Sequence, residues 1–177
     1  VLNTAQLNVF GTAVSLDDVH HITDEFLAMA ALDAGRSSID DTNGGTDWIS
    51  FAAVAGNIVL NLTAGSAFTV NAVSWGTISA GTVIENAIGG DGNDTITGTK
   101  PNNVLRGKRG NNGLIGGAGA DTKISGQADD RIYVDNLGDV VTELAGQGLD
   151  SIFATISATS ALNVERFYMQ GSGNFSA

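Results

Sequence analysis

Between Ile96 and Ile132 the chain repeats itself every nine residues: Ile96, Leu105, Leu114 and Ile132 hold equivalent places, and Lys123 breaks the series. Each aliphatic residue sits in a short stretch that reads as a strand of about three residues. The residues between these stretches are rich in Gly, Asn and Asp, which favour tight turns. A fixed period of this kind predicts a spiral of short parallel strands with two units to a coil. Residues 18 apart then stack in neighbouring coils, about 4.8 Å from one another. On that geometry Ile96, Leu114 and Ile132 form one apolar column, and Leu105 lies over Lys123 in the other. A lysine inside so thin a core is costly. The strand is therefore expected to turn Lys123 outward and use Ile124 instead, or to leave the spiral ragged at that layer.

Away from the repeat the pattern changes. Residues 15–33 read as an amphipathic helix, with Val19, Ile22, Phe26, Met29 and Ala30 on one face and Ser15 or Asp17 as the cap. Residues 47–84 read as short strands, with alternation in Ile58-Val59-Leu60-Asn61-Leu62, and strands return after 134 in Ser151–Ile156. The expected fold class is mainly β: a short parallel β-roll flanked by β-strand segments, with one N-terminal helix. The expected division is 1–36 with the helix, 37–88 leading into the roll, 89–133 the roll, and 134–177 a post-roll β segment that reads as cut short.

The repeat also carries chemistry. Gly89-Gly90-Asp91-Gly92-Asn93-Asp94-Thr95-Ile96-Thr97 matches G-G-x-G-x-D-x-U-x at every fixed position, U being a large aliphatic residue. The frame continues through 98–106, 107–115, 116–124 and 125–133, although Pro101 stands where a turn glycine belongs. Glycine allows backbone angles that let carbonyl oxygens converge. Calcium takes six to eight oxygens, from carboxylates and carbonyls alike, and this nonapeptide is a calcium-binding unit. Gly90, Asp91, Gly92, Asn93, Asp94, Gly117, Gly119, Asp121, Asp129 and Asp130 are accordingly candidate ligands. The sixth positions should stack as Asp94 over Asn112 over Asp130, and Asn103 over Asp121. Each such pair holds one Asp and one Asn, so the sites should be weakened, because ligand charge helps set affinity.

Two stretches outside the roll offer similar materials. One pairs Asn43-Gly44-Gly45-Thr46-Asp47 with Glu85, and the other runs from Asp135 and Asp139 through Glu143 to Gly148-Leu149-Asp150. The competing reading of each is a pair of Asx-turns facing solvent.

Composition narrows the function. Among 177 residues there are 24 glycines and a single proline, which argues for repeated tight turns and against collagen or a disordered linker. A formal charge of −11 disfavours nucleic acid as a partner. The chain has no cysteine, so disulfides and thiolate metal sites are excluded. No apolar run is long enough for a membrane span, and the start lacks a signal-peptide pattern. H-E-x-x-H, G-x-S-x-G and the P-loop are absent. His20 and His21 are adjacent, so they diverge on a helix; with Asp17, Asp18, Asp24 and Glu25 they read as a solvated acidic face. The chain is therefore expected to have no catalysis of its own. The sequons at Asn61, Asn93 and Asn174 read as incidental.

The block from Thr82 to Asp94 resembles the entry to the β-roll in the C-terminal domain of serralysin-type secreted metalloproteases. Gly44-Gly45-Thr46-Asp47-Trp48-Ile49-Ser50-Phe51 resembles the G-G-T-D-x-x-x-F segment of that family. The resemblance implies that Asp47, Glu85 and the carbonyls of Gly45 and Val83 form a calcium site, with the roll turns forming others. It also implies a non-catalytic module following a zinc protease domain, several calcium ions, and export by a type I secretion apparatus to the cell exterior. Tyr133–Glu143 is similar to the segment after the roll repeats of large RTX-type proteins. Asn163-Val164-Glu165 and Gly171-Ser172-Gly173-Asn174 match the lead-in to further repeats there, so the chain is expected to be part of a longer polypeptide. Residues 1–36 match no family pattern. The functional expectation is a module that folds on extracellular calcium. The alternative is a calcium-dependent glycan- or surface-binding module in which Trp48, Trp75 or Tyr168 stacks on sugar, although the aromatic residues show no periodic stripe in the sequence.

Overall fold

The computed structural model describes residues 17–30, 38–42 and 44–170. Two sheets face each other and the chain winds between them, over one apolar cluster that reaches from Ile22 to Leu114 and a second around Ile132, Val134, Ile152 and Ala154. The strands are β1 (Val19–Thr23), β2 (Ser38–Ile39), β3 (Trp48–Ala53), β4 (Ile58–Asn61), β5 (Ala67–Val70), β6 (Val73–Ile78), β7 (Asn86–Ile88), β8 (Thr95–Thr97), β9 (Val104–Lys108), β10 (Gly113–Ile115), β11 (Thr122–Gly126), β12 (Arg131–Val134), β13 (Val140–Thr142), β14 (Ser151–Ala154) and β15 (Arg166–Met169); helix α1 (Asp24–Ala30) follows β1. One sheet has the order β1-β3-β7-β9-β11-β13, and the other β15-β14-β12-β10-β8-β4-β5-β6-β2. From β7 to β14 successive strands alternate between the sheets, which is the winding of a parallel β-roll. Only the β4–β5–β6 meander is antiparallel among the described pairs.

The nine-residue period sets the register. Thr95 pairs with Gly113 and Gly113 with Arg131, each 18 residues on. The winding continues past residue 133: β13 stacks on β11 with the same spacing, Thr122 against Val140. Then β14 joins β12 with Arg131 against Ser151, after two extra residues in the turn, and β15 follows with Ser151 against Arg166. On the opposite side β3 pairs with β7, and β4 with β8. Strands from all four stretches of the sequence thus share the same two sheets.

The middle residue of each short strand points at the other sheet. In the nine-stranded sheet this makes a column of Leu60, Ile96, Leu114, Ile132 and Ile152, all buried. In the six-stranded sheet the column is His20, Ile49, Ala87, Leu105, Lys123 and Val141. Lys123 is not turned outward, contrary to expectation. It is 0 % exposed and keeps its register between Leu105 and Val141, while Ile124 is only half-buried. Its charge is met from within, as described below.

The expected helix over 15–33 is also corrected. Val19–Thr23 is a strand, and helix occupies only Asp24–Ala30 among the described residues. Residues 15, 16 and 31–33, and the side chains of Met29 and Ala30, lie outside them. The strand buries His20 and Ile22 and exposes Val19 and His21, a period of two served by parallel pairing with β3. So short a helix is marginal by itself, and a ready sheet edge outweighs it. The cap is Thr23 rather than Ser15 or Asp17: its Oγ1 accepts the Phe26 N–H at 3.1 Å.

Candidate metal sites at the edges of the roll

The sixth residue of each repeat does two structural jobs. Its side chain folds back over the first residue of the same unit. A Cβ at Gly89, Gly98, Gly107 or Gly116 would collide with Asp94, Asn103, Asn112 or Asp121 respectively, which is why glycine opens these four units, whereas Ser125 opens the fifth. One side-chain oxygen also reaches the neighbouring coil. Asn112 Oδ1 accepts the Asp94 N–H at 3.0 Å, Asp130 Oδ1 that of Asn112 at 2.6 Å, and Asp150 Oδ1 that of Asp130 at 2.8 Å. Glu165 Oε2 accepts the Asp150 N–H at 2.8 Å. The other edge repeats the device. Asp47 Oδ1 accepts from Asp18 at 2.8 Å, Glu85 Oε2 from Asp47 at 2.7 Å, Asp121 Oδ1 from Asn103 at 2.8 Å, and Asp139 Oδ1 from Asp121 at 2.9 Å. An Asn serves this ladder as well as an Asp does, but it brings no charge to hold a cation.

Carboxylates converge in three places among the described residues: Asp18/Asp41/Asp47, Asp121/Asp135/Asp139 and Asp130/Glu143/Asp150. Within each, one oxygen per residue lies within 4.8 Å of the others. Asp47 therefore meets Asp18 and Asp41 as well as Glu85. The stretch from Asp135 to Asp150 does not close into one cage. Asp135 and Asp139 join Asp121 on one edge, and Glu143 and Asp150 join Asp130 on the other. Asp91 turns away to the surface, 3.0 Å from Arg109 Nη1 and 3.5 Å from Lys108 Nζ. Asn93 and Asp129 belong to an outer ladder: Asn93 Oδ1 accepts from Asn111 at 2.8 Å, and Asp129 Oδ1 from Leu149 at 2.9 Å. Gly45, Gly117 and Gly119 take positive φ of 129°, 84° and 124°. Gly90 and Gly92 pack against the backbones of Val54 and Gly56. The Val83 N–H donates to the Asp41 carbonyl at 3.1 Å.

The third cluster is the most strained electrostatically. Asp130 and Asp150 are each 1 % exposed and Glu143 is 6 % exposed. Asp130 Oδ2 and Asp150 Oδ2 accept no well-formed hydrogen bond. Glu143 takes the Ser125 hydroxyl on Oε2 and the Leu144 N–H on Oε1. Burial pushes Asp130 and Glu143 up to about 7 and Asp150 upward as well, and like charge nearby adds to the push. Burial likewise pushes Asp94 up to about 6 and raises Asp47 and Asp121. The three carboxylates of the third cluster are hard oxygen donors without a paired side-chain cation, and they fit calcium. The second cluster differs: Lys123 Nζ lies 2.8 Å from Asp139 Oδ2 and 3.8 Å from Asp121 Oδ2.

Sequence reasoning missed Asp18 and Asp41. Asp18 precedes β1 as Asp47 precedes β3, a signal that emerges once 19–23 is read as a strand. Asp41 lies outside any period. His20 is not on a solvated face either; it is 3 % exposed, with Nε2 2.7 Å from Asp41 Oδ2, while His21 is exposed.

The aromatic residues form a stripe after all. Tyr133, Phe153 and Tyr168 stack, with centroids 5.3 and 4.9 Å apart, because the roll brings unequally spaced residues into register. Trp48 lies under the Arg106 guanidinium at 5.4 Å, and Trp75 packs against the core.

A family model described as peptidase M10 serralysin C terminal matches residues 24–174. The chain belongs to that family. No curated protein matches it significantly. The serralysin C-terminal family is the non-catalytic C-terminal part of serralysin-type proteases. Its match takes in the whole of the winding from α1 to β15, with the second and third carboxylate clusters, and leaves β1 outside. No described helix is long and apolar enough to cross a membrane.

Proposed function

We propose that this chain is a calcium-binding β-roll module of a secreted bacterial protein, the non-catalytic C-terminal part of a serralysin-like metalloprotease or of another type I-secreted enzyme. Extracellular calcium completes its fold. The observation that carries the reading is the meeting of Asp130, Glu143 and Asp150, buried and without a cation. Without metal they repel one another in a medium that screens poorly, so the energy of calcium binding becomes folding energy. A second site would use Asp47 and Glu85 with the Gly45 and Val83 carbonyls. Asp94 would supply the charge of a third, the Asn112 rung beside it being neutral. The glycan-binding alternative needs an open aromatic platform; Tyr133 and Phe153 spend facing surfaces on the stack, and the exposed Tyr168 at its end is the residue of the three left for sugar.

The test is circular dichroism and thermal melting of the chain stripped with EDTA, then supplied with millimolar calcium. At one hundred times its dissociation constant a single ion adds about 2.7 kcal/mol, a rise of several degrees in Tm. A spectrum and midpoint that ignore calcium would remove this reading.

A further inference from the structure

We infer that Lys123 is a resident counter-cation: its ammonium occupies the Asp121–Asp139 pair, where the repeat would place a shared metal ion, and makes that coil independent of calcium. Asp121 and Asp139 are sixth-position residues 18 apart, and both are aspartate. By charge it matches the Asp47–Glu85 pair on the same edge. Its inward oxygens are nevertheless in contact with an ammonium, at 2.8 Å from Asp139 Oδ2 and 3.8 Å from Asp121 Oδ2, and all three side chains are 0 % exposed. The lysine stem runs through the core between Leu105 and Val141, and its head emerges under the turn rather than into water. Gly116 makes the room. A Cβ there would collide with the Asp121 carboxylate and press on Lys123 Cε.

The opposite edge supplies the comparison. Asp130 and Asp150 are likewise stacked sixth-position residues of adjacent coils, linked by the Asp130 N–H to Asp150 Oδ1 bond of 2.8 Å. The inward residues beside them are Ile132 and Ile152, which carry no charge. There no side-chain cation among the described residues is paired with the buried carboxylates. On the Lys123 edge the cation is part of the chain. A calcium ion entering there must expel a buried ammonium or lie beside it, and like charges at such distances repel strongly. The two pairs therefore differ in kind: one meets a cation of its own chain when the chain folds, the other only when metal arrives. This inference stands beside the calcium reading and adds where the ion does not go.

The experiment is calorimetric titration of calcium into the EDTA-stripped full chain, compared with Lys123→Met and Asp139→Asn. Lys123→Met is expected to take up one ion more per chain than the unaltered protein, and Asp139→Asn the same number as the unaltered protein. An unchanged count in Lys123→Met, or one ion lost in Asp139→Asn, would overturn the assignment. Should either variant fail to fold, amine labelling of the unaltered chain decides. Lys123 should stay unlabelled with EDTA and with calcium, the exposed Lys100 serving as control, whereas labelling that appears on adding calcium would show the ammonium displaced. An unaltered protein that binds no calcium at all sinks the proposed function, and leaves the gain in Lys123→Met to judge this one.

Discussion

At the scale of single residues, the turns show where the repeat has decayed. Its second and fourth positions take positive φ at Gly117, Gly126, Gly110 and Gly119, and the same conformation is forced on Lys108 (φ 75°) and Ala128 (φ 79°). A side chain in that region costs roughly 1–2 kcal/mol. Lys108 recovers something, since its Nζ donates to the Ala52 carbonyl at 2.7 Å. Ala128 has a methyl group and no such return. Ala128→Gly should therefore stabilise the chain, by up to about 1 kcal/mol after the extra freedom glycine gives the unfolded state. A urea denaturation midpoint in EDTA that stays the same or falls would mean the turn is not strained there.

At the scale of elements, a strand of three residues is held less by its few ladder bonds than by the rungs at its ends. Asp94 is buried, and its oxygens accept the Ile58 and Gly90 N–H groups at 2.9 and 2.7 Å. Asp94→Ala would leave both donors without a partner, at about 1–3 kcal/mol each. Asp17 is exposed, and its carboxylate accepts the Thr46 N–H at the surface, where water can replace it, so Asp17→Ala should cost under about 1 kcal/mol. Asp94→Asn should be close to neutral in EDTA, because it keeps a rung and removes a buried charge. Urea titrations rank the three, and Asp94→Ala no worse than Asp17→Ala would refute the rung assignment. The same rungs show what the sequence could disclose. Asp94, Asn112 and Asp130 were legible because a constant interval of 18 needs no knowledge of the rest of the fold. Asp150 was legible as a candidate ligand but not as a rung, and Glu165 not at all, since two added residues and three missing ones move them to intervals of 20 and 15. The first strand reads as helix from sequence because Val19, Ile22 and Phe26 suit either period until β3 is known to lie alongside. Lys123 was legible as a problem but not as a solution: composition prices a buried ammonium, and only the winding brings Asp139 to meet it.

At the scale of the molecule, the roll gathers an acidic chain's carboxylates into buried lines, and this ties stability to pH. In the metal-free fold Asp94 is raised from 3.8 to about 6, Asp130 from 3.8 to about 7 and Glu143 from 4.5 to about 7, burial being the main cause in each. A folded-state value above the unfolded one means that the native state binds more protons between about pH 4 and 7. Stability from these groups is complete below their unfolded values and is lost as pH rises through 6 and 7. On the proposed calcium reading the sign reverses, because the ligands must be ionised, and the ion's hold would strengthen over the same interval. Scanning calorimetry from pH 5 to pH 8 should show Tm falling with pH in EDTA, and the fall cancelled or inverted in millimolar calcium. Asp130→Asn should flatten the metal-free slope and shrink the calcium effect at pH 8, since it removes one of the charges behind both. A metal-free Tm that does not change across that range would mean the buried carboxylates titrate normally. The electrostatic ground for calcium as the completing element of the fold would then be gone.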